Sequence, residues 1–151
     1  MKRAQRLQIV QRVVDDQERS RAEALASSER RLRESETKLH ELETYHASYV
    51  RDFTLRAGCG MDGAMVRDYQ AFLTRLDEAL RQQSQVVTRV RAQRDSELRT
   101  WQGAAQRAEA VGQMVKRFQT EEERAVDRRE QYESDERSQR AWAHGLALRG
   151  A

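Results

Sequence analysis

Metal, redox and phosphate chemistry each leave a recognisable residue pattern, and this sequence offers little of any. Its three histidines, His40, His46 and His144, show no metal-ligand spacing, and Cys59 is the single cysteine. One cysteine excludes an internal disulfide and fits a reducing compartment. Lying between Gly58 and Gly60, it reads as a bystander thiol. Gly58, Gly60 and Gly63 are not followed by a Lys-Ser/Thr pair, so they do not form a phosphate-binding loop. The residues therefore predict no catalytic set, no metal and no cofactor, and the chain reads as a non-enzyme.

The elements that would have to position a site point the same way. The chain has 151 residues, no proline, 35% charged and 38% hydrophobic residues. Proline removes a helix hydrogen bond and clashes with the preceding turn, so its absence favours long helices. The apolar content is too low for a thick core but suits a thin two-helix seam. Such a seam has no pocket from which to exclude water, which most catalysis requires. The 28 basic residues are interspersed with 25 acidic ones, for a net charge of +3, so no basic face for nucleic acid is expected. No stretch of 18 apolar residues exists, and the start, Met-Lys-Arg-Ala-Gln-Arg, has no apolar signal core; neither a membrane span nor direct lipid insertion is expected.

The apolar residues are periodic. From Tyr69, steps of seven give Leu76, Gln83, Val90, Glu97, Ala104, Val111 and Phe118; from Leu73 they give Leu80, Val87, Arg94, Trp101, Ala108 and Val115. This heptad seam over residues 66–118 needs a partner helix. The partner is the first segment, with Leu7, Val10, Val14, Leu25, Ser28, Leu32, Ser35, Leu39, Leu42, His46, Tyr49 and Phe53. A stutter between Gln17 and Leu25 interrupts its pattern. The fold class predicted is all-α: a long antiparallel two-helix coiled coil, an α-hairpin, with an overhanging C-terminal helix. Helix 1 is expected over 1–56, a glycine-rich turn over 57–65 with Asp62 as N-cap, and helix 2 over 66–140 with an overhang after 118. The tail, 141–151, is expected to fray.

Folding at residue 60 brings together residues whose numbers add to about 120. Tyr49 then meets Tyr69, Leu32 meets Val87, and Gln17 with Arg21 faces Trp101. The small residues Gly103, Ala104, Ala105, Ala108 and Gly112 face Ile9, Val10, Val13 and Val14. Polar seam residues at Arg21, Arg94 and Glu97 mark the weakest part. With its seam covered internally, the chain is expected to be a monomer on its own.

Phe72, Leu76, Ala79 and Gln83 form one line on helix 2, and Phe72 lies beside the seam rather than in it. One reading is that Phe72 widens the seam near the turn; the other is a docking stripe, since exposed aromatics anchor interfaces. Five of the nine aromatics, Tyr45, Tyr49, Phe53, Tyr69 and Phe72, flank the turn. Residues 119–140 carry eight acidic and five basic residues and little that is apolar, which suits a wet, electrostatically matched contact.

In helical register the sequence resembles the flagellar export chaperone FliJ family. The resemblance rests on Tyr45 and Tyr49, the glycine-containing turn, the run Tyr69-Gln70-x-Phe72-Leu73-x-x-Leu76-x-x-Ala79-Leu80-x-x-Gln83, Trp101 and the arginine-rich trailing helix. It implies a cytoplasmic stalk protein of type III export, peripheral at the inner-membrane base of the flagellar apparatus. The implied partners are a FliI-like hexameric export ATPase, a FlhA-like export gate protein and other export chaperones. The stripe carried over for gate binding is Phe72, Leu76, Ala79 and Gln83. Arg3, Arg6, Arg12, Arg117, Arg124 and Arg128 are the expected ATPase-ring contacts, on the paired helix ends. Two other readings remain at this level: the homologous stalk of a virulence-type injectisome, and a generic structural coiled coil with no ATPase link.

Overall fold

The computed structural model describes residues 2–150 and contains two α-helices, α1 (Arg3–Gly58) and α2 (Gly63–Arg149), of 56 and 87 residues. Among the described residues there is no strand. The helices pack against each other as an all-α hairpin.

Local chemistry sets where the helices stop and start. The last turn of α1 tightens, with the Cys59 amide donating to the Arg56 carbonyl at 3.1 Å and the Gly60 amide to Ala57 at 3.3 Å. Gly60 then adopts φ +92°, a left-handed conformation that costs a glycine little. The Asp62 carboxylate accepts the Met65 amide at 2.8 Å, the N-cap expected from sequence.

The bounds differ from the sequence reading in three places. Helix α1 runs on to Gly58, since Arg56 and Ala57 suit a last turn. Helix α2 begins directly after its cap, at Gly63 rather than 66. Its C-terminal end continues to Arg149, where fraying from 141 was expected. Ala141, Ala143, Leu146, Ala147 and Leu148 are good helix formers, and one glycine, Gly145, costs only about 1 kcal/mol against alanine.

The chain divides into two compact units. The first is Gln17–Ala104, which contains the turn. Its pairings are antiparallel and keep the register near 120. Tyr49 lies against Tyr69, with ring centroids 4.9 Å apart. The Gln83 side-chain amide donates to the Ser35 carbonyl at 2.9 Å, and the Trp101 indole to Glu18 at 2.8 Å. The latter is one residue from the expected Gln17. Leu32, Leu76, Val87 and Ala104 are 7%, 7%, 5% and 1% exposed and form the apolar core of this unit. Ser28 and Ser35 are buried with them, at 0% and 7%. Neither hydroxyl is stranded: Ser35 donates to the Leu32 carbonyl at 2.9 Å, and Ser28 accepts from Arg31 at 3.2 Å. Between Val87 and Ala104 no residue of α2 is buried, and Arg94 turns to its neighbour Asp95 at 2.8 Å. The polar stretch around Arg94 and Glu97 is thus the thin part of this seam.

The second unit combines residues 2–16 with 105–150. Arg3 stacks over the Phe118 ring, 5.1 Å from its centroid, so α1 begins opposite Phe118 and residues 119–149 run beyond it. Val115 is buried here, at 7%. The broad apolar surface expected to be covered is not. Ile9, Val10 and Val13 remain 48%, 46% and 50% exposed, because one partner helix covers a single stripe and these three lie outside it. Ala4, Leu7, Gln11 and Val14 are the half-buried ones, and a Cβ at Gly112 would sit 4.0 Å from the Gln11 amide nitrogen.

This distribution of burial predicts unequal costs of truncation. Leu76→Ala and Val87→Ala should each destabilise the chain by about 2–3 kcal/mol. Ile9→Ala should cost under about 1 kcal/mol. Urea unfolding followed by circular dichroism measures all three. Equal losses would mean that the exposed valine–isoleucine face is packed in solution.

Candidate functional site

The aromatic residues flanking the turn form one cluster. Phe72 lies 4.5 Å from Tyr49 and, edge-on, 6.2 Å from Tyr45, between ring centroids. Tyr45 and Tyr49 are 6.3 Å apart, and Phe53 is 5.4 Å from Tyr69. These separations fall in the range of favourable ring pairs. Heptad geometry explains the order: Tyr49, Phe53 and Tyr69 sit on the seam, and Phe72 leans from its flank onto Tyr45 and Tyr49. Tyr45 is the outer ring and stays 52% exposed.

The four stripe residues therefore have different surroundings. Leu76 is core. Phe72 and Ala79 are half-buried, Phe72 against the two tyrosines. Gln83 is half-buried with its amide committed to Ser35. Helix α1 takes up much of the line, and the part that faces outward is the Phe72 edge, Ala79 and, from the other helix, Tyr45.

Polar pairs that sequence reasoning missed surround the cluster. The Tyr69 hydroxyl donates to Asp52 at 2.7 Å, and Asp52 also meets Arg56 at 3.4 Å. The His46 ring nitrogen lies 2.8 Å from Asp77. The pairing register contained the signal for these contacts, but a seam pattern built on apolar residues passes over polar partners at its edge. The Tyr69 hydroxyl is held above its ordinary pKa of 10.0, chiefly by donating its proton to Asp52 and then by burial. On the solvent face, Arg81 bonds to Glu78 with both its Nε and Nη2, and Gln82 adds a third donor at 3.2 Å. The Glu78 carboxylate is consequently held below its usual range.

The second cluster of expected contact residues lies in the other unit. Arg3 and Arg117 are brought together around a shallow groove of about 270 Å³ lined also by Leu7, Met114, Phe118 and Glu121. Arg6 and Arg12 are exposed on α1, and Arg124 and Arg128 on α2 beyond Phe118; they do not join that groove. Among the described residues no group of three or more His, Cys, Asp or Glu side chains is placed to hold a metal, and no helix is long and apolar enough to cross a membrane.

The Asp52–Tyr69 bond gives a pH signature. A raised phenol pKa means that the bond stabilises the fold fully below pH 10 and loses its effect as pH rises through the folded-state value. An absorbance titration of the native chain should show one tyrosine ionising above pH 10 that is missing in Tyr69→Phe. The variant should also lose less stability than the native chain over that alkaline window. If the phenol lost in Tyr69→Phe is one that ionises together with the other three, the bond does not form.

No curated protein and no solved structure matches the chain. The family model described as "Flagellar FliJ protein" matches residues 1–147, nearly the whole length. With the all-α hairpin and the Tyr69–Gln83 run in place, that match settles the family: the chain belongs to the FliJ family of flagellar protein export components.

Proposed function

We propose that this chain acts as a binding and regulatory stalk of flagellar export. In this reading it lies in the cytoplasm at the base of the export apparatus. The paired start of α1 and trailing part of α2 engage the central hole of the hexameric export ATPase. The aromatic cluster beside the turn contacts the export gate protein. Escort chaperones are further partners of the same stalk.

The single observation that supports this most is the difference between the two kinds of surface. One, beside the turn, presents an aromatic cluster with Tyr45 outermost, the type of anchor that dominates protein interfaces. The other carries exposed arginines, Arg3, Arg6 and Arg12 on α1 and Arg117, Arg124 and Arg128 on α2, interleaved with carboxylates. Such a surface suits a polar contact that sets orientation and on-rate more than affinity.

Adding the chain to the purified export ATPase should raise its hydrolysis rate, and Arg124→Glu with Arg128→Glu should reduce that stimulation several-fold. For the gate, Tyr45→Ala should weaken binding about tenfold with little change in thermal stability, because this ring is half outside. Phe72→Ala should weaken gate binding and motility while leaving helicity largely intact. No stimulation, together with no co-purification of ATPase or gate protein, would sink the proposal.

A further inference from the structure

The two edges of the Gln17–Ala104 unit are not alike. On one edge the α2 residues beside the seam are Gln70, Asp77, Ser84 and Arg91, all polar. Two of them are tied to α1: the His46 ring nitrogen meets Asp77 at 2.8 Å, and Arg91 donates to Glu36 at 3.2 Å. On the other edge, steps of seven give Met65, Phe72, Ala79 and Val86, all apolar. Met65 is 41% exposed and the other three are half-buried. The seam itself does not demand this line. It continues to Phe118, yet the next two positions of the line, Gln93 and Thr100, are polar and exposed. An apolar line on one flank of a seam that is already filled is the surface a third helix packs against.

We propose, resting on the gate contact beside the turn, that the partner presents an amphipathic α-helix to this edge, about three heptads long and carrying carboxylates at its end away from the turn. Met65 to Val86 spans about 32 Å of helix. Opposite the line, α1 supplies the Tyr45 ring edge-on to Phe72, and further from the turn Lys38 and Arg31. Lys38 and Arg31 share a shallow groove of about 390 Å³ with Val86 and Val90. Their stems widen the apolar floor while their heads stay in water. On α2, Arg75 stands one turn from both Phe72 and Ala79.

The charges set the chemistry of that helix. Among the described residues no carboxylate pairs with Lys38 or Arg75, and Arg31 bonds to the Ser28 hydroxyl at 3.2 Å. Glu34 lines the same groove and Glu41 lies one turn beyond Lys38, so the cations Arg31, Lys38 and Arg75 still outnumber the carboxylates. Near the turn the sign reverses, with Asp68 one turn from both Met65 and Phe72. Carboxylates on the partner are therefore favoured beside Lys38 and Arg75 and disfavoured beside Asp68. The spacing selects a helix: the apolar sites recur about every 10 Å, two helical turns, where an extended segment would repeat about every 7 Å. The site is a groove between two helices, and a two-fold contact with a second copy would set groove against groove and leave the floor uncovered.

Calorimetric titration of the purified export gate protein with the full chain tests this. Native binding should weaken several-fold between ~0.05 and ~0.5 M salt. Val86→Gln, which gives the line the residue type it carries at 93, should weaken binding about fivefold. Lys38→Glu with Arg75→Glu should weaken it about tenfold at low salt and remove most of the salt dependence. Both side chains are exposed, so circular dichroism should show the fold unchanged. Arg33→Glu, two residues from Arg31 and hence on the other side of α1, should stay within about twofold of native. Hydrogen exchange in the complex should show one helical segment of the gate protein gaining protection. If Tyr45→Ala weakens binding while Val86→Gln and the double charge reversal leave it native, the contact ends at the aromatic cluster and the longer groove is overturned, with gate binding intact. A native chain that does not bind the gate protein overturns both readings. Self-association of the chain that Val86→Gln abolishes would overturn the proposal in favour of a second copy.

Discussion

Two helices pressed along one stripe bury few residues, so a small number of contacts must hold the register. In the Gln17–Ala104 unit that task falls to the seam from Ser28 to Tyr49 on α1 and from Tyr69 to Trp101 on α2. The serines matter because they are small. Ser28 and Ser35 are buried where a leucine would push the helices apart, and Ser35 leaves its carbonyl open to the Gln83 amide. A helix carbonyl has a second lone pair, so it accepts this bond without losing its own. A one-residue slip would strand that amide, separate Tyr69 from Asp52 and unstack Phe72 from Tyr49. Polar bonds along the seam edges thus supply a specificity that the apolar stripe alone lacks.

The heptad and the glycine turn were enough to read the hairpin and its register from sequence. The contact of Tyr49 with Tyr69 and the cap at Asp62 follow from spacing alone. Less was legible where the outcome depends on how wide a stripe one helix can cover. Ile9, Val10 and Val13 look like core by composition, but the two-helix seam instead covers part of Ala4, Leu7, Gln11 and Val14. The small residues and two glycines of 141–151, Gly145 and Gly150, suggest a frayed tail. Alanine and leucine propensity extends α2 to Arg149.

The candidate contact line on α2 illustrates why a helical face is not a surface. Residues at i, i+4, i+7 and i+11 share a line, but a supercoiled partner crosses part of it. Leu76 is taken into the core and Gln83 into a bond, while Phe72 is propped from below by Tyr45 and Tyr49. Propping has a consequence for recognition. In the proposed gate contact a ring held by two neighbours would lose little side-chain freedom, and Tyr45, on the other helix, would add the exposed half of the anchor. A stripe confined to α2 therefore understates the proposed surface, which would be built from both helices and depend on their register.

The overhang is the reverse case. Where α1 is absent, nothing selects which face of α2 is inner, and sequence alone must carry that information. Between 119 and 149 it does so only weakly: steps of seven from Phe118 give Ala125, Tyr132, Gln139 and Leu146, but Glu122, Arg129 and Glu136 at the intervening seam positions are charged. Trp142 and Leu148, at 71% and 68% exposure, lie off that line, so the apolar residues of the overhang do not gather into one inner face.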